Sequence, residues 1–326
     1  MSPLRLVFMG TPEFAASHLE GLIKCPEFEI AAVYTPVDKP RGRSRTPVSC
    51  PVKGKALKHG LKVIQISTLK TEEQAEQLRL LSPDIVVVVA FGFLLPDAIL
   101  SIPSYGCVNI HPSLLPKYRG AAPIQHALLN GDDKTGVTSM LIDAGMDSGP
   151  ILMQKEVRVS FWDDFESLSK KLVLTGIECL KETLVGIRDS KMAYRGIPQD
   201  NRSATYTEKI KPEMASLDFT KSALMLHNQI RALNEWPGCR IRLKAQEGDI
   251  VLKIWKSEVI NRTYSGAPGE IILKDNKNCF IVCGEDMLSL LDVQPEGKRR
   301  MAIGSFLNGH KIISGSMAEK YFFNHL

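Results

Sequence analysis

Two short segments carry residues able to donate hydrogen bonds and move protons: Cys107-Val108-Asn109-Ile110-His111-Pro112 and Asp143-Ala144-Gly145-Met146-Asp147-Ser148-Gly149-Pro150. The first reads as a strand stopped by Pro112, and alternation of strand side chains sends Asn109 and His111 to the same side. An amide offers N–H donors, and imidazole is the side chain type that takes up and releases protons near neutrality. In the second segment Gly145, Gly149 and Pro150 bracket Asp147 in a loop that could bring a carboxylate close to another part of the chain. Each feature also has a plainer reading. Asn109 and His111 could cap a strand end, and Asp147 could be a solvated turn residue. Arg119, in the small-residue run between the two segments, could pair with a carboxylate or face water.

These residues need a scaffold. Apolar strand-like runs at 4–9, 28–34, 62–65, 84–90 and 106–110 alternate with amphipathic stretches at 12–24, 51–59 and 71–80. Such alternation predicts a doubly wound, mostly parallel, Rossmann-like sheet with helices on both faces. Residues 85–89 (Ile-Val-Val-Val-Val) are apolar throughout, as a strand buried on both sides must be. Asn109 and His111 then sit at the carboxyl end of a parallel strand, where open α/β sheets place their ligands. Two further strand-like runs, 136–142 and 151–159, flank the Asp147 loop. A helix is predicted at about 164–188.

Residues 190–207 are rich in Ser, Arg, Gly, Pro, Gln, Asp and Asn and read as a linker, separating a catalytic domain at 1–189 from a second domain at 208–326. The second domain begins with a helix at 222–233. Short strands follow at 239–245, 249–256, 269–273, 279–283 and 287–293, which predicts a small antiparallel, OB-like β-barrel. In its first strand Arg240, Arg242 and Lys244 alternate with Ile241 and Leu243, placing three cations on one face. Lys298-Arg299-Arg300 adds to them. A denser basic loop, holding Arg41, Arg43 and Arg45, follows the second strand and so falls on the ligand-binding side of the sheet. Both sets could engage RNA phosphates or simply remain solvated.

The run from His111 through Ser113-Leu114-Leu115-Pro116 to Arg119-Gly120-Ala121-Ala122-Pro123, with Gly145-Met146-Asp147-Ser148-Gly149, resembles the signature of folate-dependent formyltransferases. Similarity extends from Met9-Gly10-Thr11-Pro12 to Asn234-Glu235-Trp236-Pro237-Gly238 and Gln294-Pro295-Glu296-Gly297-Lys298. It is greatest with the branch that formylates the methionine amine of initiator tRNA in translation initiation. The resemblance implies 10-formyltetrahydrofolate as formyl donor and initiator methionyl-tRNA as acceptor. It puts the catalytic Asn, His and Asp on Asn109, His111 and Asp147, and the folate-contacting run on Ser113, Leu114, Leu115 and Pro116. The flat pterin is expected beside strand 84–90, near Phe91 and Gly92. The basic loop, with Arg43 as its chief arginine, and Arg240, Arg242 and Lys298 are expected to meet tRNA. Two positions depart from the family pattern: Ser148 where Thr is frequent, and Arg45 where lysines are frequent.

The three residues suit formyl transfer. An amine attacking a formyl carbon creates an oxyanion, which preorganised donors must meet, and protons must leave the amine and reach the folate nitrogen. Asn109 would serve the oxyanion, His111 the protons, and Asp147 the orientation of the ring.

Bulk properties agree with this class. A hydrophobic share of 44%, a charged share of 24% and a net charge of +5 describe an ordinary globular chain that tolerates a polyanion without requiring one. No apolar run reaches the ~18 residues of a membrane helix. Seven scattered cysteines without a C-x-x-C pair fit reduced thiols and a cytoplasmic protein, which is expected to be a monomer. The histidines show no metal-ligand spacing, and no G-x-G-x-x-G follows the first strand, which disfavours a metal or a dinucleotide. Rival readings are a formyltransferase or hydrolase acting on another acceptor, and an RNA-binding protein on a retired enzyme scaffold. The intact trio argues against the latter.

Overall fold

Strand Ile85–Val89 is buried at every position, at the centre of a seven-stranded sheet. In the computed structural model, which describes residues 2–40, 47–190, 195–261, 264–275 and 277–321, the strand order is Ile151–Arg158, Lys134–Leu141, Cys107–His111, Ile85–Val89, Leu4–Gly10, Phe28–Pro36, Val63–Ile66. The five strands from Cys107–His111 to Val63–Ile66 are parallel, and the remaining two join antiparallel. From Leu4–Gly10 the chain first builds outward through Phe28–Pro36 and Val63–Ile66. It then returns to the other side of Leu4–Gly10, so a crevice opens at the carboxyl ends of the strands flanking that reversal.

Alternation along Leu4–Gly10 shows why the sheet needs cover on two faces. Val7 and Met9 join one core with Ala75, Leu78 and Ile99. Leu6 and Phe8, pointing the other way, are fully buried too. Helices Glu13–Ile23, Pro51–Lys58 and Glu72–Leu80 supply their apolar faces through residues such as Leu19, Val52 and Leu78. In the long helix Phe165–Ser190, Leu172, Leu180 and Leu184 are fully buried at helical spacing.

By contacts the chain forms two compact units. One comprises Met1–Gly120, Lys134–Arg158 and Ser169–Thr207, and the other Ala121–Asp133, Val159–Leu168 and Glu208–Leu326. Residues 195–207, read as linker from their polar texture, belong to the first unit. Ile197 exchanges two backbone bonds with Ile151, at 2.7 and 2.8 Å, and Tyr206–Thr207 pairs in parallel with Arg119–Gly120. Backbone and amide bonds hold this segment rather than an apolar face, so hydrophobic periodicity gives no sign of it.

In the second unit an antiparallel sheet runs Ile271–Asp275, Asn278–Val282, Met287–Pro295, Gly248–Ile260, Arg240–Ala245, Glu319–Lys320. Its two edges are bridged by one segment. Ser316 and Ala318 bond to Ile271 and Gly269, while Glu319 and Lys320 pair with Arg242 and Ile241. The sheet therefore curls into a barrel, which removes exposed edges. Ser222 caps helix Ala223–Leu233 by accepting from the Met225 N–H, and Leu226, Ile230 and Leu233 bury its inner face. The seven cysteines form no disulfide, and no described helix is long and apolar enough to cross a membrane.

Candidate active site

Strand Cys107–His111 buries Val108 and Ile110 on one face and carries Asn109 and His111 on the other. The Asp147 loop meets them there. One carboxylate oxygen of Asp147 lies 3.5 Å from the Asn109 amide nitrogen, and the other lies 3.6 Å from His111 Nδ1 and accepts from the Gly120 N–H at 2.8 Å. The trio brought from two separate segments thus shares one small volume within the first unit.

His111 is oriented chiefly by a group that sequence reasoning did not name. Its Nε2 lies 2.8 Å from the Tyr118 carbonyl oxygen, which can only accept, so Nε2 carries the hydrogen and donates. The ring is nearly buried and its free position is Nδ1, on the Asp147 side. Backbone geometry supports this arrangement. Tyr118 and Asp147 adopt left-handed conformations with φ of 64° and 51°, at ~1–2 kcal/mol each for a residue with a Cβ. Strain of this kind collects where side chains must be aimed. At Gly120, with φ 102°, a Cβ would stand 2.6 Å from the Thr207 carbonyl oxygen, so only glycine lets its N–H reach the carboxylate.

Arg119 resolves differently from either alternative read in the sequence. It is 2% exposed, and its guanidinium donates to Gln199 Oε1 at 2.8 and 3.1 Å, Asn201 Oδ1 at 2.9 Å and the Tyr206 hydroxyl at 3.2 Å. Gln199 in turn donates to the backbone carbonyls of Asp147 at 2.9 Å and Gly149 at 2.8 Å. A buried cation thereby fixes one amide, and that amide fixes both sides of the loop carrying Asp147. Nothing in sequence pattern marks this relay.

The residues expected at the folate divide. Ser113 is fully buried and spends its hydroxyl on the Lys117 carbonyl at 2.6 Å, Leu115 is buried with its N–H on Thr138, and Phe91 belongs to the core beside Phe93. Leu114 and Pro116 are half-buried, and Gly92 is exposed with φ 78°. Ala90, also at positive φ, and Leu94, 77% exposed, continue this rim at the carboxyl end of Ile85–Val89. Exposed backbone polar groups beside an apolar side chain suit a flat ring with an amide-like edge.

Arg41, Arg43 and Arg45 lie outside the described residues. Their flanks form a ribbon, Lys39–Pro40 against Pro47–Val48, and Asp38 beside it is anchored by Lys53 at 2.5 Å and Gln65 at 3.0 Å. In the second unit Ile241 and Leu243 are fully buried while Arg242 and Lys244 are exposed, as alternation requires. Arg240 is half-buried, and Lys298 is exposed.

The family model described as "Formyl transferase" matches residues 4–184, and "Formyl transferase, C-terminal domain" matches residues 209–311. Methionyl-tRNA formyltransferase of Methylococcus capsulatus is 44% identical over 309 residues, covering 95% of this chain and 98% of that protein. The protein of the same name from Caldanaerobacter subterraneus is 41% identical over 317 residues, 96% of this chain and 99% of its own. Among solved structures, the N-formyltransferase of Helicobacter canadensis, crystallised with folinic acid and dTDP-3-aminofucose, is similar in fold. Its TM-score is 0.63 at 20% identity, covering 90% of this chain and 99% of that one. Full-length identity of this order, across both units, places the chain in the methionyl-tRNA formyltransferase family.

Proposed function

We propose that this protein transfers the formyl group of 10-formyltetrahydrofolate to the amino group of methionine on initiator methionyl-tRNA, acting as a cytoplasmic monomer. Residues 1–189 form the catalytic part, 190–207 connect it to the next with 195–207 bracing it, and 208–326 assist tRNA binding. The observation that carries the chemistry is the convergence of Asn109, His111 and Asp147 at the carboxyl end of a parallel strand.

The bound folate supplies an activated formyl carbon. Asn109 directs an amide N–H toward the carbonyl oxygen that becomes negative on attack. His111 Nδ1 takes the proton lost by the attacking amine and delivers it to the folate nitrogen as that carbon–nitrogen bond breaks. Its Nε2–H stays on the Tyr118 carbonyl throughout. Asp147, pinned by Gly120, offsets the charge His111 gains in between. Leu114, Pro116 and Gly92, with Ser113, Leu115 and Phe91 shaping the wall behind them, would hold the folate. Arg41, Arg43 and Arg45 together with Arg240, Arg242 and Lys298 would meet tRNA phosphates. Methionyl-tRNA is favoured over a sugar acceptor because the full-length relatives at 41–44% identity are named methionyl-tRNA formyltransferase.

The test mixes pure protein with 10-formyltetrahydrofolate and methionine-charged initiator tRNA and follows formylmethionine by mass spectrometry. Formylation of a free amino sugar, with none on the tRNA, would reject this reading.

A further inference from the structure

We propose that the second unit binds one nucleotide of a single-stranded RNA segment in two adjoining cavities, the base in one and the phosphate in the other, with Trp255 lining the first and touching Lys253 and Gln294 of the second. Naming tRNA as the source of that segment rests on the function proposed above, whereas the site itself does not.

The first cavity, about 190 Å3, is lined by Phe161, Trp162, His227, Trp255 and Lys256 among others. Two of its aromatics face solvent: Phe161 is 39% and Trp162 59% exposed, set edge to face at 5.1 Å. They are not loose. Phe161 stacks on the buried His227 ring at 4.3 Å and 10°, and that ring bonds the Phe161 carbonyl at 3.1 Å and Ser257 Oγ at 3.2 Å. Held aromatic faces left in water are a stacking platform, since every base presents a π-face.

Close by lies a second cavity of about 200 Å3, lined by Arg240, Lys253 and Gln294, with Glu296 as its acidic member. Arg240 pairs opposite Lys253, and Lys253 opposite Gln294, so these three side chains stand level across neighbouring strands. Trp255 ties the cavities together. The strand register slips between Ile254 and Lys256, a bulge that re-aims the intervening Trp255. Its ring lies 3.6 Å from Lys253 Nζ and 5.0 Å from the Arg300 guanidinium, and its Nε1 donates to Gln294 Oε1 at 2.9 Å. Arg300 is engaged by Asp292 at 2.6 Å. Burial and the neighbouring Arg240 depress the Lys253 ammonium to about 8, so an arriving phosphate would relieve a crowding of like charge. An acidic peptide would satisfy the cations and leave the aromatic pair idle, and duplex RNA keeps its base faces stacked. An unpaired nucleotide uses both cavities.

The experiment titrates the full-length protein, Trp162→Ala and Lys253→Met with uncharged tRNA, a short single-stranded RNA and an RNA duplex. Tryptophan fluorescence and anisotropy report binding, and unfolding midpoints confirm that each variant is folded. Trp162→Ala should weaken tRNA and single-strand binding about tenfold without altering the salt slope. Lys253→Met should weaken both and reduce the slope by about one unit. Variants that bind like wild type, or a duplex bound as tightly as the single strand, would overturn the site. A wild-type protein that binds the single strand yet fails to formylate charged tRNA would instead reject the function and leave the site standing.

Discussion

Arg119 and Lys253 are both cations held close to the protein, and they are treated in opposite ways. Arg119 is buried among neutral acceptors, and its bonds run inward to two amides, Gln199 and Asn201, the first of which holds the Asp147 loop. Lys253 stands near two other cations on a barrel wall. The first region uses charge to fix geometry and needs no partner to be complete. The second gathers three cations with fewer acidic neighbours, Glu296 and Asp292 among them, which favours a polyanion arriving from outside. Catalysis calls for the former because a misplaced donor stabilises nothing, and substrate capture calls for the latter because long-range attraction tolerates imprecise placement.

The largest test of that contrast lies at the trio. His111→Ala should lower kcat by roughly 10²–10⁴ and Asn109→Ala by roughly 10²–10³, in single-turnover formyl transfer, with tRNA affinity unchanged. Near-wild-type turnover by a folded variant would remove that residue from the mechanism.

Next comes the relay. Gln199→Leu removes both bonds to the Asp147 loop and should reduce kcat about tenfold or more while KM for tRNA moves little. Arg119→Met leaves the Gln199 and Asn201 oxygens without their buried donor and should cost about 1–3 kcal/mol in urea unfolding. If Gln199→Leu shifted KM instead of kcat, the relay would belong to binding and the contrast would break.

Smaller still is a pH effect on the barrel. With Lys253 near 8 when folded and near its ordinary 10.5 when unfolded, the unfolded chain binds more protons between those values. This group's contribution to stability therefore rises as pH climbs through that window. RNA affinity should move the other way, weakening above about 8 as Lys253 discharges beside Arg240, Arg300 and Glu235. The Lys253→Met protein should show neither trend. The smallest expected effect is that of Arg242→Ala. Its guanidinium is exposed and 4.0 Å from Asp249, so stability should stay within about 0.5 kcal/mol and tRNA affinity should fall only about two- to threefold.

Most elements were legible beforehand because their signals are periodic. The strand at 84–90 and the helix at 222–233 appear within a residue or two of where apolar spacing puts them. Asn109 and His111 were legible for a similar reason: two residues apart on a strand, they must share a face. The resemblance put Asp147 beside them, whereas its own segment reads equally as a solvated turn. Gln199 was invisible, since it acts across 50 and 52 residues from within a polar stretch that any surface linker might contain. Likewise Tyr118 contributes a carbonyl, which its side chain does not advertise. Ser113, expected at the folate from the resemblance, and Phe91, expected there from its place after strand 84–90, have the hydroxyl on the Lys117 carbonyl and the ring in the core, partners that residue type does not announce.

Local chemistry, then, was settled by the amino-acid order alone: where strands and helices form, which face is apolar, and which side chains could donate or move a proton. What needed the folded chain were the meetings between distant segments. The carboxylate approaches its amide and imidazole, the arginine chooses inward amides over water, and a bulge turns Trp255 toward its cations. Periodicity reports only on neighbours within a few residues, whereas these contacts depend on loop closure and on which buried polar groups find partners.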